Sequence, residues 1–493
     1  MNGTILQFFH WYHPGKVWNE FIDKAEYLKD LGFTAVWLPP AVKCASGTQG
    51  RGYDVYDLYD LGEFDQKGGI STRYGTKEEY LKAIEKAHEF GLKVYADIVL
   101  NHRMGGDEKE ILKVHQVNEE DRNEIIKEPF EAEALTKFTF PGRNGKYSDF
   151  IWDSQCFSGI DKVKTSDEEQ EGIFKIHNEY GTGWNENVSQ QFGNYDYLMG
   201  ADVDFRNPFV VEELKRWIKW YIETTNVDGL RMDALKHIST EFLREWIDFI
   251  KSDIDENFFI VGEFWKDELE KLKVFSEKMN HRICLFDVPL HFNFFKASQE
   301  GQNYNLSEIL KGTFLEGKPE CSVSFVGNHD TQQLQALESA VENWFRPLAY
   351  AIILLTENTY PCVFYPDIFG AEYVDKNADG EDEKIVMPKV EILPRLIKAR
   401  QELAYGEQIN YFDHPNCIAW IRKGDDNHEG CVVIISNSEE SYKEMNLGKE
   451  NAFAKFEDFL GFRTEIIELD DNGVGTFWVN PESVSVWRKL QNQ

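Results

Sequence analysis

The sequence predicts an α/β fold: a closed (β/α)8 barrel with a small domain inserted after its third strand and an antiparallel β domain at its C-terminus. Three observations carry this. Apolar strand-like runs alternate with amphipathic helical stretches for most of the length, which predicts a parallel sheet covered by helices. That rhythm breaks from Arg103 to Asp204, a stretch too long to be a structureless loop in a compact domain. From about Gly406 it changes again, to short alternating runs separated by Gly, Asp and Asn turns. A length of 493 residues accommodates a bare barrel of ~250 residues with both additions. A doubly wound open sheet is the alternative, but no GxGxxG follows any predicted strand.

Ile5–Tyr12 is apolar and aromatic and opens the barrel. Trp18–Leu31 reads as an amphipathic helix closed by Gly32. Phe33–Pro40 is the second strand, Lys77–Phe90 a helix with Gly91 behind it, and Lys93–Leu100 the third strand. The interrupted stretch is rich in Glu, Asp, Asn and Gly, carries Trp152 and Trp184, and reads as a small domain. Beyond it, Pro208–Thr224 is helical, Gly229–Met232 a strand and Thr240–Ser252 helical. Phe258–Phe264, Arg282–Val288, Cys321–Val326 and Pro361–Tyr365 are the remaining barrel strands, with a helix over Pro347–Glu357. In the tail, Ile418–Arg422, Cys431–Ser436, Thr464–Leu469, Gly475–Val479 and Ser483–Trp487 read as β. The expected division is residues 1–102 and 205–405 for the barrel, 103–204 for the insertion and 406–493 for a C-terminal β-sandwich.

Composition narrows the function. The formal net charge is −33, which argues against a nucleic-acid partner, because Lys and Arg supply most of that affinity. It argues equally against an anionic membrane surface. No apolar run is long enough to span a bilayer; the best, Leu348 to Leu355, is far too short. The N-terminus has no basic region, long apolar core or small-residue cleavage site. Seven scattered cysteines, none spaced as CxxC, read as reduced thiols rather than a zinc site. The expectation is a cytoplasmic protein, though a secreted chain that had lost its signal peptide would read the same.

Four predicted strands end in polar residues. They are Asp97-Ile98-Val99-Leu100-Asn101-His102, Gly229-Leu230-Arg231-Met232-Asp233, Val261-Gly262-Glu263 and Phe325-Val326-Gly327-Asn328-His329-Asp330. Buried parallel strands should be apolar throughout, and polar side chains at their C-terminal ends are costly unless they act there. In a β/α barrel those ends converge on the active site. One such Asp is as readily a cap for the next helix; four polar ends in successive strands are not. Clustered carboxylates suit glycoside hydrolysis, which needs an ionised carboxylate at the anomeric carbon and a protonated acid at the leaving oxygen. Arg231 lies two residues before Asp233, on the same side of the strand, and is expected to keep Asp233 ionised. Glu263 precedes Phe264 and Trp265, an apolar setting that raises a carboxyl pKa and suits an acid. Asp330 would hold sugar hydroxyls.

These segments resemble the four sequence regions of glycoside hydrolase family 13, the α-amylase family. Asn194-Tyr195-Asp196-Tyr197-Leu198-Met199-Gly200-Ala201-Asp202-Val203-Asp204 resembles the end of that family's inserted domain. Gly52 to Phe64, Phe140-Pro141-Gly142-Arg143, Tyr147 to Phe150 and Leu403-Ala404-Tyr405-Gly406 with Tyr411-Phe412-Asp413-His414 resemble the bacterial liquefying-type and intracellular α-amylases. The resemblance covers nearly the whole chain. It implies a (β/α)8 TIM barrel and a retaining endo-hydrolase of α-1,4-glucosidic bonds in starch, glycogen or maltodextrins, expected to be a monomer. It implies Asp233 as nucleophile, Glu263 as acid/base and Asp330 as transition-state stabiliser. Arg231, His102 and His329 would contact the sugar at the cleavage point and Tyr53 would stack on its ring. Lys236, His237 and Trp265 would lie on the aglycone side. Trp11 is open to two readings, a distal subsite or, the commoner place for a lone strand Trp, the core. A glucanotransferase, an α-1,6-acting enzyme and an inactive glycan-binding relative are the alternatives.

The family also implies one Ca2+. Asn101, Asp196 and Asp202 offer the hard oxygens calcium prefers, and the family adds the backbone carbonyl of His237. Relatives with a calcium–sodium–calcium triad carry carboxylates where this chain has Ser158, Asn185 and Arg206. A second calcium and a sodium are therefore not expected. Gly327 stands where the family often has an acidic residue, without an expected loss of activity.

Overall fold

The computed structural model describes residues 2–166 and 168–490. Eight parallel strands close a barrel: β1 (Ile5–Gln7), β2 (Ala35–Leu38), β3 (Lys93–Ile98), β4 (Gly229–Met232), β5 (Phe259–Gly262), β6 (Cys284–Phe286), β7 (Ser322–Phe325) and β8 (Tyr360–Phe364). They pair in chain order, and β8 returns to β1. This is the predicted fold class.

The covering helices form where local chemistry directs them. Val17–Leu31 buries Val17, Trp18, Phe21, Ala25 and Leu28, and Gly32, at φ 107°, caps it in the left-handed region. Lys77–Glu89 starts in a capping box between Thr76 and Glu79. Pro208–Thr225 starts at Pro208, with the Asn207 side chain accepting from Phe209 N–H. Thr240–Phe249 runs into a π-helical turn, Ile250–Ile254, which replaces the end of the predicted Thr240–Ser252 helix.

Gly229–Met232 forms as predicted, while the first strand is shorter than predicted. The chain leaves the sheet after Gln7, yet Phe8 and Phe9 remain buried. Phe8 packs edge-on against Phe21 and Tyr365, and Phe9 against Trp37. Apolarity there reports core packing beyond the sheet and not strand pairing.

Between β3 and β4 the chain builds a six-stranded sheet that includes the hairpin Glu108–Val117 and Ile125–Lys137. The hairpin buries Leu112, Val114, Ala132 and Ala134 in the main core, and Val117 in a separate small cluster with Ile173, Trp184 and Tyr197. Its last strand, Ala201–Val203, pairs with His102–Arg103, and Val203 N–H donates to Asn101 O at 2.9 Å. That pairing returns the insertion to the barrel mouth.

The C-terminal six-stranded sheet faces the pair Ser441–Asn446 and Val474–Val479 across a core containing Ile434, Met445, Phe477 and Trp487. Gln408–Tyr411, Ser441–Asn446 and Lys455–Asp458 are strands the sequence reading omitted. So is the hairpin Ala371–Lys376 with Asp382–Met387. The predicted Thr464–Leu469 strand shrinks to Ile467–Glu468. All seven cysteines are free. Among the described residues, no helix is long and apolar enough to cross a membrane.

Candidate active site

Strand register brings the polar ends together. Arg231 on β4 lies opposite Asp97 on β3 and Val261 on β5, so Asp233 and Glu263 emerge side by side just past their strands. Arg231 is 1% exposed and serves three carboxylates. Its Nη1 donates to Asp97 Oδ1 at 2.9 Å and Asp233 Oδ1 at 2.6 Å, and its Nη2 to Glu263 Oε2 at 2.5 Å. Ala234, at φ 52° in the left-handed region, turns the chain sharply after Asp233. This aims its own N–H at Glu263 Oε2, 3.4 Å away.

Asp97 is a site residue the sequence reading passed over. Trp37 Nε1 and Tyr53 OH donate to its Oδ2 at 3.0 and 2.8 Å. Its signal was a charge inside a strand that should be apolar, level with Arg231. Gln7 was missed as well: its Nε2 donates to His329 Nδ1 at 3.0 Å, leaving Nε2 of that ring facing Asp330 Oδ2 at 3.3 Å.

Burial dominates the electrostatics. It raises Asp233 above the ordinary carboxylate value, against the pull of Arg231, and the charge of Asp97 adds to the rise. Arg231 opposes this rise, the sense expected of a cation beside Asp233, although desolvation is the larger influence. Glu263 is raised by burial, opposed by Arg231 and helped by Asp233. Asp330 is pushed well above its usual range by burial and then by Glu263. Burial holds the rings of His102, His237 and His329 neutral, the first two at about 4 and about 3.

Tyr53, His329 and Trp11 form a mutual cluster of near-parallel rings, with centroids 5.2 Å apart for Tyr53–His329, 5.8 Å for Tyr53–Trp11 and 6.1 Å for Trp11–His329. Trp11 is thus part of the aromatic wall, with Arg51 over its ring. His102 Nε2 donates to Tyr53 O at 2.8 Å. His237 Nδ1 donates to Tyr195 O at 2.8 Å, and Lys236 Nζ lies 5.1 Å from the centre of the Tyr195 ring. Trp265 is not brought to this wall. Only 9% exposed, its ring packs on His291, Phe292 and Phe325.

The proposed metal ligands also converge. Asn101 Nδ2 donates to Asp202 Oδ1 at 3.2 Å, while Asn101 Oδ1 is buried without a partner. Burial raises Asp196 to about 7 and Asp202 well above its usual range, the latter also through the charge of Asp196. His237 sits against Tyr195, the residue before Asp196. An orphaned amide oxygen beside mutually repelling buried carboxylates suits a hard cation. Among the described residues, no three His, Cys, Asp or Glu are grouped to hold a metal; this set has two carboxylates, and its other donors are amide and carbonyl oxygens. Ser158 Oγ donates to Asp202 Oδ2 at 2.5 Å, Asn185 Nδ2 to Asp196 Oδ2 at 3.0 Å, and Arg206 pairs with Asp204 at 2.7 Å.

A parallel barrel with acids gathered on one arginine at the C-terminal strand ends defines a barrel glycoside hydrolase. The α-amylase catalytic-domain family matches residues 17–395. The cytoplasmic alpha-amylase of Escherichia coli (strain K12) is 50% identical over 489 residues, covering 99% of this chain and 98% of that protein. An alpha-amylase of Geobacillus stearothermophilus is 43% identical over 99% of this chain and 87% of its own. A solved Anoxybacillus alpha-amylase superposes with a TM-score of 0.66 over 100% of this chain and 98% of that one, at 18% identity. The chain belongs to the α-amylase family.

Proposed function

We propose that Asp233, Glu263 and Asp330 carry out retaining endo-hydrolysis of α-1,4-glucosidic bonds in starch, glycogen or maltodextrins. The observation that carries this reading is the tie of Asp233 and Glu263 to the two Nη atoms of Arg231. Two acids sharing one guanidinium stand close, as the ~5–5.5 Å spacing of retaining glycosidases requires. Asp233 attacks the anomeric carbon while protonated Glu263 gives its proton to the departing glycosidic oxygen. The sugar is then held on Asp233 as an ester. Glu263, now ionised, takes a proton from water, which displaces Asp233 and restores both groups. Asp330, beside His329, accepts from sugar hydroxyls as positive charge builds on the ring. Tyr53 and Trp11 offer stacking surface, and Lys236 and His237 line the aglycone side.

Asn101, Asp196, Asp202 and the carbonyl of His237 would hold one calcium, which would neutralise the buried carboxylates and fasten the insertion to the barrel. Ser158, Asn185 and Arg206 already supply hydrogen bonds or charge to Asp202, Asp196 and Asp204, which favours a single ion. The same reading takes 103–204 as the inserted domain and 406–493 as the C-terminal domain. The free cysteines and the name of the E. coli relative support the cytoplasm as its compartment. Digesting maltoheptaose and soluble starch tests the reaction. Rapid loss of starch viscosity with internal cleavage of the heptaose is expected; longer products or cleavage confined to α-1,6 branches would overturn it.

A further inference from the structure

Glucan hydrolysis leaves one cation-rich cavity unexplained. A cavity of about 550 Å³ opens beside Lys236, between the helix Leu269–Lys278 and residues 188–191 of the insertion. Its floor is apolar, with Phe264 stacked on Phe275 at 4.4 Å and 21°. Its rim carries Lys236, Lys266, Lys271 and Lys278 against a single acid, Glu268. Lys271 and Lys278 are two turns apart on one helix face, with exposed Val274 between them. Lys266 donates to Gln191 Oε1 at 2.8 Å, and on the same helix Lys273 takes Glu270 as its partner. Among the described residues, no carboxylate lies within ion-pair distance of the four rim lysines.

Four unpaired cations around one cavity are conspicuous in a chain of net charge −33. They repel one another until an anion enters, and clustered lysines are phosphate binders. An apolar floor below a cationic rim fits a sugar ring that carries an anionic group. The cavity adjoins the cleft: Lys236 lines it, and Phe264 in its floor directly follows Glu263 in the chain. We infer that this cavity receives glucose units bearing phosphate monoesters in an α-glucan chain that leaves the aglycone end of the cleft, an inference that rests on the hydrolase reading above.

The test uses a soluble phosphorylated glucan and the same material after phosphatase treatment, with the intact protein and the double variant Lys271→Gln/Lys278→Gln. Two partly exposed lysine–phosphate pairs predict a KM about tenfold lower for the phosphorylated glucan, about 1.4 kcal/mol. The variant should lose that preference and match the parent on dephosphorylated glucan. A parent that treats both glucans alike, or a variant that keeps the preference, overturns the inference. Inorganic phosphate and glucose 6-phosphate, each titrated alone, should bind far more weakly; equal affinity would make this a free-anion site and overturn the glucan assignment. Calorimetry on Glu263→Gln reads the preference without turnover. Absent hydrolysis therefore counts against the enzymatic reading, and absent preference against this one.

Discussion

Replacing Arg231 by lysine keeps the charge and removes the fork. In the structure Nη1 holds Asp97 and Asp233 while Nη2 holds Glu263, at 2.9, 2.6 and 2.5 Å. A lysine ammonium is a single point on a flexible stem and cannot reach all three oxygens from the arginine's position. Trp37 and Tyr53 still donate to Asp97 Oδ2, and a lysine ammonium that stays on Asp97 Oδ1 releases Asp233 and Glu263. Hydrogen bonds to charged groups are worth about 1.5–3 kcal/mol each. Losing two removes about 3–6 kcal/mol of positioning, a drop of roughly 10²–10⁴ in kcat/KM. The assay is initial-rate hydrolysis of maltoheptaose by Arg231→Lys, with calorimetry to show that the barrel is folded. A folded variant within tenfold of the parent would refute Arg231 as the organiser of the acid pair.

Asp330→Asn should stabilise the protein while lowering activity. Burial and Glu263 raise the Asp330 pKa in the fold, so its ionisation weakens the fold as pH rises above the unfolded value. The amide escapes that penalty, for a gain of about 1 kcal/mol visible as a higher Tm at neutral pH. The pH–rate profile should be bell-shaped. The raised Asp233 and Glu263 place both limbs above ordinary carboxylate values, and the two limbs belong to the pair. Glu263→Gln should lose the alkaline limb and most activity on starch, but much less on an activated aryl glycoside. Chelation by EDTA should lower Tm and activity, and calcium alone should restore both; free calcium at 100 times its Kd stabilises by about 2.7 kcal/mol. Elemental analysis should find one ion per chain.

The barrel and its acids were legible because a buried parallel strand tolerates polar residues only where they act. Asp233, Glu263 and Asp330 sit just beyond apolar runs, and the structure brings all three to one arginine or its neighbours. Asp97 escaped notice because it lies inside its strand, where its partner is visible only once β3 and β4 are set in register. Trp11, open from sequence to a core or a distal-subsite reading, packs against Tyr53 and His329 in the structure. An aromatic side chain's neighbours depend on where the chain bends after the strand, which composition does not encode. The insertion's strands were hidden by solvent-facing Glu and Lys that interrupt the apolar pattern between buried Leu112, Val114, Val117, Ala132 and Ala134. The hairpin Ala371–Lys376 with Asp382–Met387 gave a weaker signal still, burying only the facing pair Tyr373 and Ile385 while Val374 and Val386 face solvent.

The central claim is that Asp233 forms a covalent bond to the sugar while Glu263 moves the proton. Trapping tests it directly. A fluorinated α-glucosyl fluoride slows breakdown of the intermediate, and mass spectrometry of the digested protein then locates the adduct. The account predicts one glucosyl group on the peptide containing Asp233, with the α-anomer appearing first in proton NMR of fresh product. An adduct on Glu263 or Asp97, or no adduct together with β-anomer first, would contradict it.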